Sequence, residues 1–165
     1  MPSSGTGDPI LLVIGLAPAL KGGNRTGRPF HGDSSGRWLR AALARVALGE
    51  DEVRITNAVR CVPPANRPLA AEIAACRPFL AEELSSSRLR TVVALGRIAH
   101  DAALAALALP GRDFPFGHGA EHALPGGAAL FDSYHPSPQN TNTGRLTRAM
   151  FDAVFERAVE RLRTT

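Results

Sequence analysis

The chain has 165 residues, enough for one domain with a sizeable core, and 44% of them are apolar. It contains no apolar run of about 18 residues, the length a membrane-spanning helix needs. The opening Met1–Pro9 stretch also lacks the basic and apolar regions of a secretory leader, so a cytoplasmic location is expected. The net charge of +4 arises from 18 Arg and one Lys against 15 acidic residues. This excess permits a nucleic-acid partner without requiring one. Two cysteines, Cys61 and Cys76, are too few for a disulfide scaffold; they are buried thiols, half of a metal site, or inert bystanders.

Residues 1–9 form a flexible lead-in, and residues 10–165 form a single domain. Ile10-Leu11-Leu12-Val13-Ile14 is a non-alternating apolar run that stops at Gly15, the pattern of a buried strand. From Arg37 to Leu48, Trp38, Leu39, Ala42, Leu43 and Val46 share one helical face. Val53 to Val59 is the next strand candidate. The piece Val62 to Pro68 has too many prolines for helix or central strand and must be a loop. A helix follows from Leu69 to Leu84, with Pro78 as a point of interruption or kinking. Arg90 to Leu95 reads as a strand and Ile98 to Leu109 as a helix. Residues 110–127, rich in glycine and proline, read as a long surface loop; loops of that length in compact domains usually bind something. Ala128 to Tyr134 is the last strand, and Leu146 to Leu162 the terminal helix. Alternating strands and helices predict a parallel sheet covered on both faces, with a site beyond the carboxyl ends of its strands.

Two segments are too polar to be core. Gly15 to Asp33 is glycine-rich, so its backbone can approach a ligand closely. It is no Walker loop, because Lys21 is followed by glycine, and the dinucleotide fingerprint fails too. Ser133 to Arg145 places His135 at a strand end, stiffened by Pro136. Ser137 and His135 form no nucleophile elbow, and no close set of His and Cys supplies a zinc site.

Three pieces in chain order carry a family resemblance. They are Gly15 to Ala19 with Gly23 to Arg28 and Gly32 to Gly36; Thr56 to Pro68; and His135-Pro136-Ser137 with Asn140-Thr141. Together they resemble the uracil-DNA glycosylase superfamily, and most closely its iron–sulfur branch, called family 5 or type b. The resemblance covers nearly the whole chain. It implies a three-layer α/β/α sandwich on a central four-stranded parallel sheet, and hydrolysis of the N-glycosidic bond of uracil in DNA, the step that initiates base excision repair. Hypoxanthine and xanthine are further candidate bases. The implied partner is double-stranded DNA containing a deaminated base, bound by a monomer.

By the same resemblance Phe30 stacks on the flipped base, Asn57 reads its polar edge, and the backbone of Leu16 and Ala17 lines the sugar side. His135 donates to the carbonyl oxygen that gains charge as the base leaves. Asn24 and Asp33 are two candidates for holding the attacking water, because Ala17 stands where other branches have an acid. A loop amide cap for Asn24 and a helix N-cap for Asp33 are the competing readings. Arg28, Arg67, Ser137 and Arg145 are candidate contacts to the DNA backbone.

Relatives of this branch hold a 4Fe–4S cluster on four cysteines. Cys61 and Cys76 fit the second pair, while the N-terminal pair is missing ahead of the first strand. A late-assigned start, a truncation and a lost cluster would each produce that pattern. The expectation is that this 165-residue form carries no complete cluster. Two other functions stay open from sequence: a catalytically weak protein that binds damaged or single-stranded DNA, and a hydrolase of free nucleosides.

Overall fold

The computed structural model describes residues 1–20 and 22–164, except the side chain of Asn66. Six strands form one sheet: β1 (Ser4–Gly5), β2 (Leu11–Gly15), β3 (Val53–Asn57), β4 (Thr91–Leu95), β5 (Glu121–Ala123) and β6 (Ala129–Ser133). Their order across the sheet is β1-β3-β2-β4-β6-β5. β3, β2, β4 and β6 are mutually parallel. The expected four parallel strands are therefore present at the centre, but the sheet is six-stranded and mixed. An antiparallel edge strand is added on each side, β1 beside β3 and β5 beside β6. Residues 1–9, read as a flexible lead-in, include β1, and the N-terminal ammonium of Met1 donates to the Arg60 carbonyl at 2.6 Å.

The helices are α1 (Gly23–Thr26), α2 (Ser34–Arg45), α3 (Ala70–Leu84), α4 (Arg97–Ala106), α5 (Pro138–Thr141) and α6 (Arg148–Thr164). One face of the sheet, including Leu11, Val13, Val93 and Phe131, packs against Leu39 and Ala42 of α2 and Phe151 and Phe155 of α6. The opposite face, including Leu12, Ile14, Val92 and Leu130, packs against Leu80 of α3 and Ala99 and Ala103 of α4. Strands covered on both faces have no solvent side to mark with polar residues, and β2 is buried along its whole length.

The long segment after α4 is more ordered than its composition suggests. It contains a short 3-10 turn at Gly111–Asp113 and then β5, which closes the sheet edge. α3 runs unbroken through Pro78. Both Pro78 and Ala74 are exposed, so the carbonyl deprived of its donor faces water. The chain leaves β2 to reach β3 on one side, then returns to the other side at β4. That reversal opens a crevice beyond the carboxyl ends of the strands.

Candidate active site

A cavity of about 750 Å³ occupies this crevice. Leu16, Ala17, Phe30, Asn57 and His135 all line it, along with Asp33, Ser137 and Arg145. Side chains from three separate segments, one of them the end of β3, thus converge where the sheet topology places a site.

Gly15 at the end of β2 explains how two of them come together. A Cβ there would lie 2.3 Å from the Phe30 ring and 2.5 Å from Asn57 Oδ1, so only glycine leaves room for both. Backbone bonds from Ala58 N to Gly15 O (2.8 Å) and from Val59 N to Leu16 O (3.0 Å) hold the two strand ends in register beyond the sheet. Phe30 sits at φ 54°, a left-handed conformation that costs an aromatic residue of order 1 kcal/mol or more. The first turn of α2 supports it: a Cβ on Gly36 would stand 2.2 Å from the Phe30 carbonyl oxygen. Asn57 is 5% exposed, and its Oδ1 is buried without a hydrogen-bond partner. An unpaired amide oxygen of this kind is expected only where a ligand or water completes it.

His135 lies with its ring centroid 5.8 Å from that of Phe30, tilted by 33°. Its backbone is tied down by neighbours. Asn140 Nδ2 donates to His135 O at 2.8 Å, and the buried Ser35 hydroxyl donates to Pro136 O at 2.9 Å. Gly96, at φ 99°, passes close to the His135 Cβ and donates its N–H to Ser133 O at 2.7 Å. Burial pushes the imidazole pKa down to about 4, against the opposing pull of the Asp33 carboxylate. At pH 7 about one ring in a thousand would then be charged.

Asp33 does two things. It caps α2, accepting the Gly36 N–H at 2.8 Å, and it lines the cavity on the side of His135. Asn24 is exposed on α1 and is not among the residues that line the cavity. Arg145 lines the cavity with its guanidinium 4.7 Å from the Tyr134 ring centroid. Arg28 pairs with Glu50 at 3.3 Å on the surface, and Arg67 is exposed on the proline-rich loop; neither lines the cavity. The sequence reading did not assign Ser35, Phe116, Tyr134 or Asn140 to the site. Ser35, Tyr134 and Asn140 lie within segments singled out in the sequence, but their contacts to distant segments carry no local signal, and Phe116 had none.

Cys61, just ahead of the proline-rich loop, is exposed, Cys76, midway along α3, is partly buried, and both are free thiols. Cys76 Sγ accepts the Arg60 N–H at 3.5 Å. A four-iron cluster takes four thiolates, and this chain supplies two. Neither cysteine lines the cavity.

Among the described residues, His100, His122 and Asp132 are the group able to converge on a metal ion, with ligand atoms within 4.8 Å of one another. They already form a bonded network. Asp132 meets His100 Nδ1 at 2.7 Å and His122 Nε2 at 3.1 Å, and His100 Nε2 donates to Phe114 O at 2.8 Å. Burial alone would lower the His100 pKa, but the hydrogen bond and charge of Asp132 overturn that and hold it above the ordinary range. Both ring nitrogens face acceptors, which suits an imidazolium paired with a carboxylate.

The sequence profile described as "Uracil DNA glycosylase superfamily" matches residues 2–161. The type-5 uracil-DNA glycosylase of Thermus thermophilus is 46% identical over 172 residues, covering 95% of this chain and 78% of that protein. The type-5 enzyme of Mycobacterium bovis is 44% identical over 174 residues, covering 96% of this chain and 65% of that protein. A type-4 uracil-DNA glycosylase of Pyrobaculum aerophilum is 38% identical over 89 residues, 53% of this chain and 44% of that protein. The chain belongs to the uracil-DNA glycosylase superfamily, and it is similar to type-5 members over nearly its whole length.

Proposed function

We propose that this chain is a uracil-DNA glycosylase, which hydrolyses the bond between uracil and deoxyribose in double-stranded DNA and so starts base excision repair. The convergence of Phe30, Asn57 and His135 on one cavity carries this reading. Extruding a base costs a few kcal/mol, least for a mispaired one such as uracil opposite guanine. Phe30 takes the place of the lost stacking partner, and the Asn57 amide, with its unpaired oxygen, meets the polar edge of the base.

As the C1′–N1 bond breaks, its electron pair passes to the base and positive charge spreads over the sugar. The neutral His135 ring donates a hydrogen bond to the uracil oxygen that becomes negative. Such a donor stabilises only the charge-separated state, and its loss typically costs about 3 kcal/mol. Asp33 is the better placed of the two water-holding candidates, because it shares the cavity with His135 while Asn24 does not. It orients the water whose oxygen adds to C1′; the water's proton is then lost from the site. Ser137 and Arg145, on the rim, contact the phosphates beside the extruded nucleotide, and Arg28 and Arg67 add longer-range attraction.

Hypoxanthine and xanthine are proposed as further substrates, since a cavity of about 750 Å³ leaves room for a purine. If thiolates beyond Cys61 and Cys76 complete an iron–sulfur centre, it would tie the proline-rich loop to α3 outside the cavity. The test of the reading is incubation with duplexes carrying one uracil, followed by alkali. Strand cleavage at the uracil, with free deoxyuridine left intact, supports it. Binding without release would favour a damage-binding protein, and release from free nucleosides a nucleoside hydrolase.

A further inference from the structure

The glycine- and proline-rich segment between α4 and β5 takes no part in the chemistry above, yet it grips β6, the strand that leads to His135. Phe114 O accepts from His100, and Gly117 N donates to Asp132 Oδ2 at 3.4 Å. Gly119 N donates to Asp132 O at 2.9 Å. The segment also places Phe116 in the cavity wall, with its ring edge-on to His100 at 5.5 Å.

At its centre is His118, whose two ring nitrogens are engaged in opposite senses. The Tyr134 N–H donates to His118 Nδ1 at 3.0 Å. On the other side of the ring, His118 Nε2 faces Met150 O of α6 at 3.3 Å, an acceptor that needs a proton from the imidazole. One nitrogen must therefore be bare and the other protonated, which fixes a neutral ring with its hydrogen on Nε2. The ring also stacks on Tyr134, with centroids 4.9 Å apart. Tyr134 itself lines the cavity under the Arg145 guanidinium, and it immediately precedes His135 in the chain.

The backbone around His135 is thus held from three elements. Asn140 takes its carbonyl, Ser35 takes that of Pro136, and His118 accepts the peptide N–H on the upstream side. We propose that His118 is a positioning residue, which fixes the Tyr134–His135 backbone so that the His135 ring meets the leaving base. This inference rests on the glycosylase reading of His135. Its consequence is specific: His118 affects the rate only while the His135 side chain is present. A misplacement of about 1 Å at a reacting group commonly lowers rates about 100-fold, and a partial one less.

The test is a double-mutant cycle in single-turnover uracil release from a labelled duplex. His118→Leu should slow release 10- to 100-fold, with duplex affinity within about twofold of the parent. In a His135→Ala background the same change should cost less than about threefold, because its effect passes through the missing ring. His118→Asn, whose Oδ1 keeps an acceptor near the place of Nδ1, should recover most of the rate. Equal losses in both backgrounds, a His118→Leu rate matching the parent, or no recovery by His118→Asn would each overturn the proposal. If His118→Leu does not fold, imidazole nitrogen NMR of the unsubstituted chain decides: a bare Nδ1 and protonated Nε2 support it, and a protonated Nδ1 refutes it. Absence of uracil release by the unsubstituted chain would instead count against the glycosylase reading.

Discussion

Gly15→Ala should displace both Phe30 and Asn57, the two proposed base contacts, with one methyl group. The added Cβ would sit 2.3 Å from the Phe30 ring and 2.5 Å from Asn57 Oδ1, where ordinary contacts begin near 3.4 Å. Ring and amide must each retreat by about 1 Å, or β2 must shift against β3, where the bonds from Ala58 and Val59 resist it. Overpacking of this kind costs about 1–3 kcal/mol of stability, and a displacement of about 1 Å at a positioning group about 100-fold in rate. The assay is single-turnover release of uracil from a labelled duplex at saturating enzyme, with thermal unfolding measured in parallel. Gly111→Ala is the control, because a Cβ there meets nothing within 4 Å. A folded Gly15→Ala protein that releases uracil within threefold of the parent would show that Phe30 and Asn57 need not hold these positions.

Asp33→Asn separates capping from catalysis, because asparagine caps helices about as well as aspartate. It should leave the melting temperature nearly unchanged and slow uracil release at least tenfold, whereas Asn24→Ala should leave the rate within about twofold. His135→Ala should slow single-turnover release about 100- to 1000-fold with little change in duplex affinity measured by anisotropy. The same residue makes a pH prediction. Its folded pKa of about 4 lies below the ordinary value of 6.5, so the unfolded chain takes up the proton first as pH falls. Its destabilising effect is absent above about pH 6.5 and grows down to about pH 4, reaching at most about 2 kcal/mol at pH 5. Denaturant titrations at pH 7 and 5 should show a smaller acid loss for His135→Ala than for the parent. Asp132→Ala strands the buried His100 charge and should lower stability by about 3–5 kcal/mol; a melting temperature close to the parent's would show that the network is dispensable.

The central sheet was legible in the sequence because its strands are covered on both faces and read as unbroken apolar runs, Leu11 to Ile14 above all. α2 was legible from its one apolar face, and the N-cap was one of the two readings of Asp33. The edge strands were not: Ser4–Gly5 and Glu121–Ala123 are short and carry no alternating pattern, so only their partners identify them. The proline signal misled at Pro78, since an exposed helix face tolerates an unpaired carbonyl that water can reach. Phe30, Asn57 and His135 were singled out through motifs in separate segments, and the topology of the sheet explains why all three line one cavity. What joins the site to its support was hidden. His100 and Asp132 are 32 residues apart, and Ser35 and Pro136 are 101 apart. No local pattern marks contacts over such separations.

A crystal structure of the chain with a duplex bearing 2′-fluoro-2′-deoxyuridine, which resists cleavage, tests the account most directly. The uracil ring should lie against Phe30, with the Asn57 amide and a His135 ring nitrogen each about 2.7–3.2 Å from its polar edge. A uracil left stacked in the duplex, or bound away from this cavity, would contradict it.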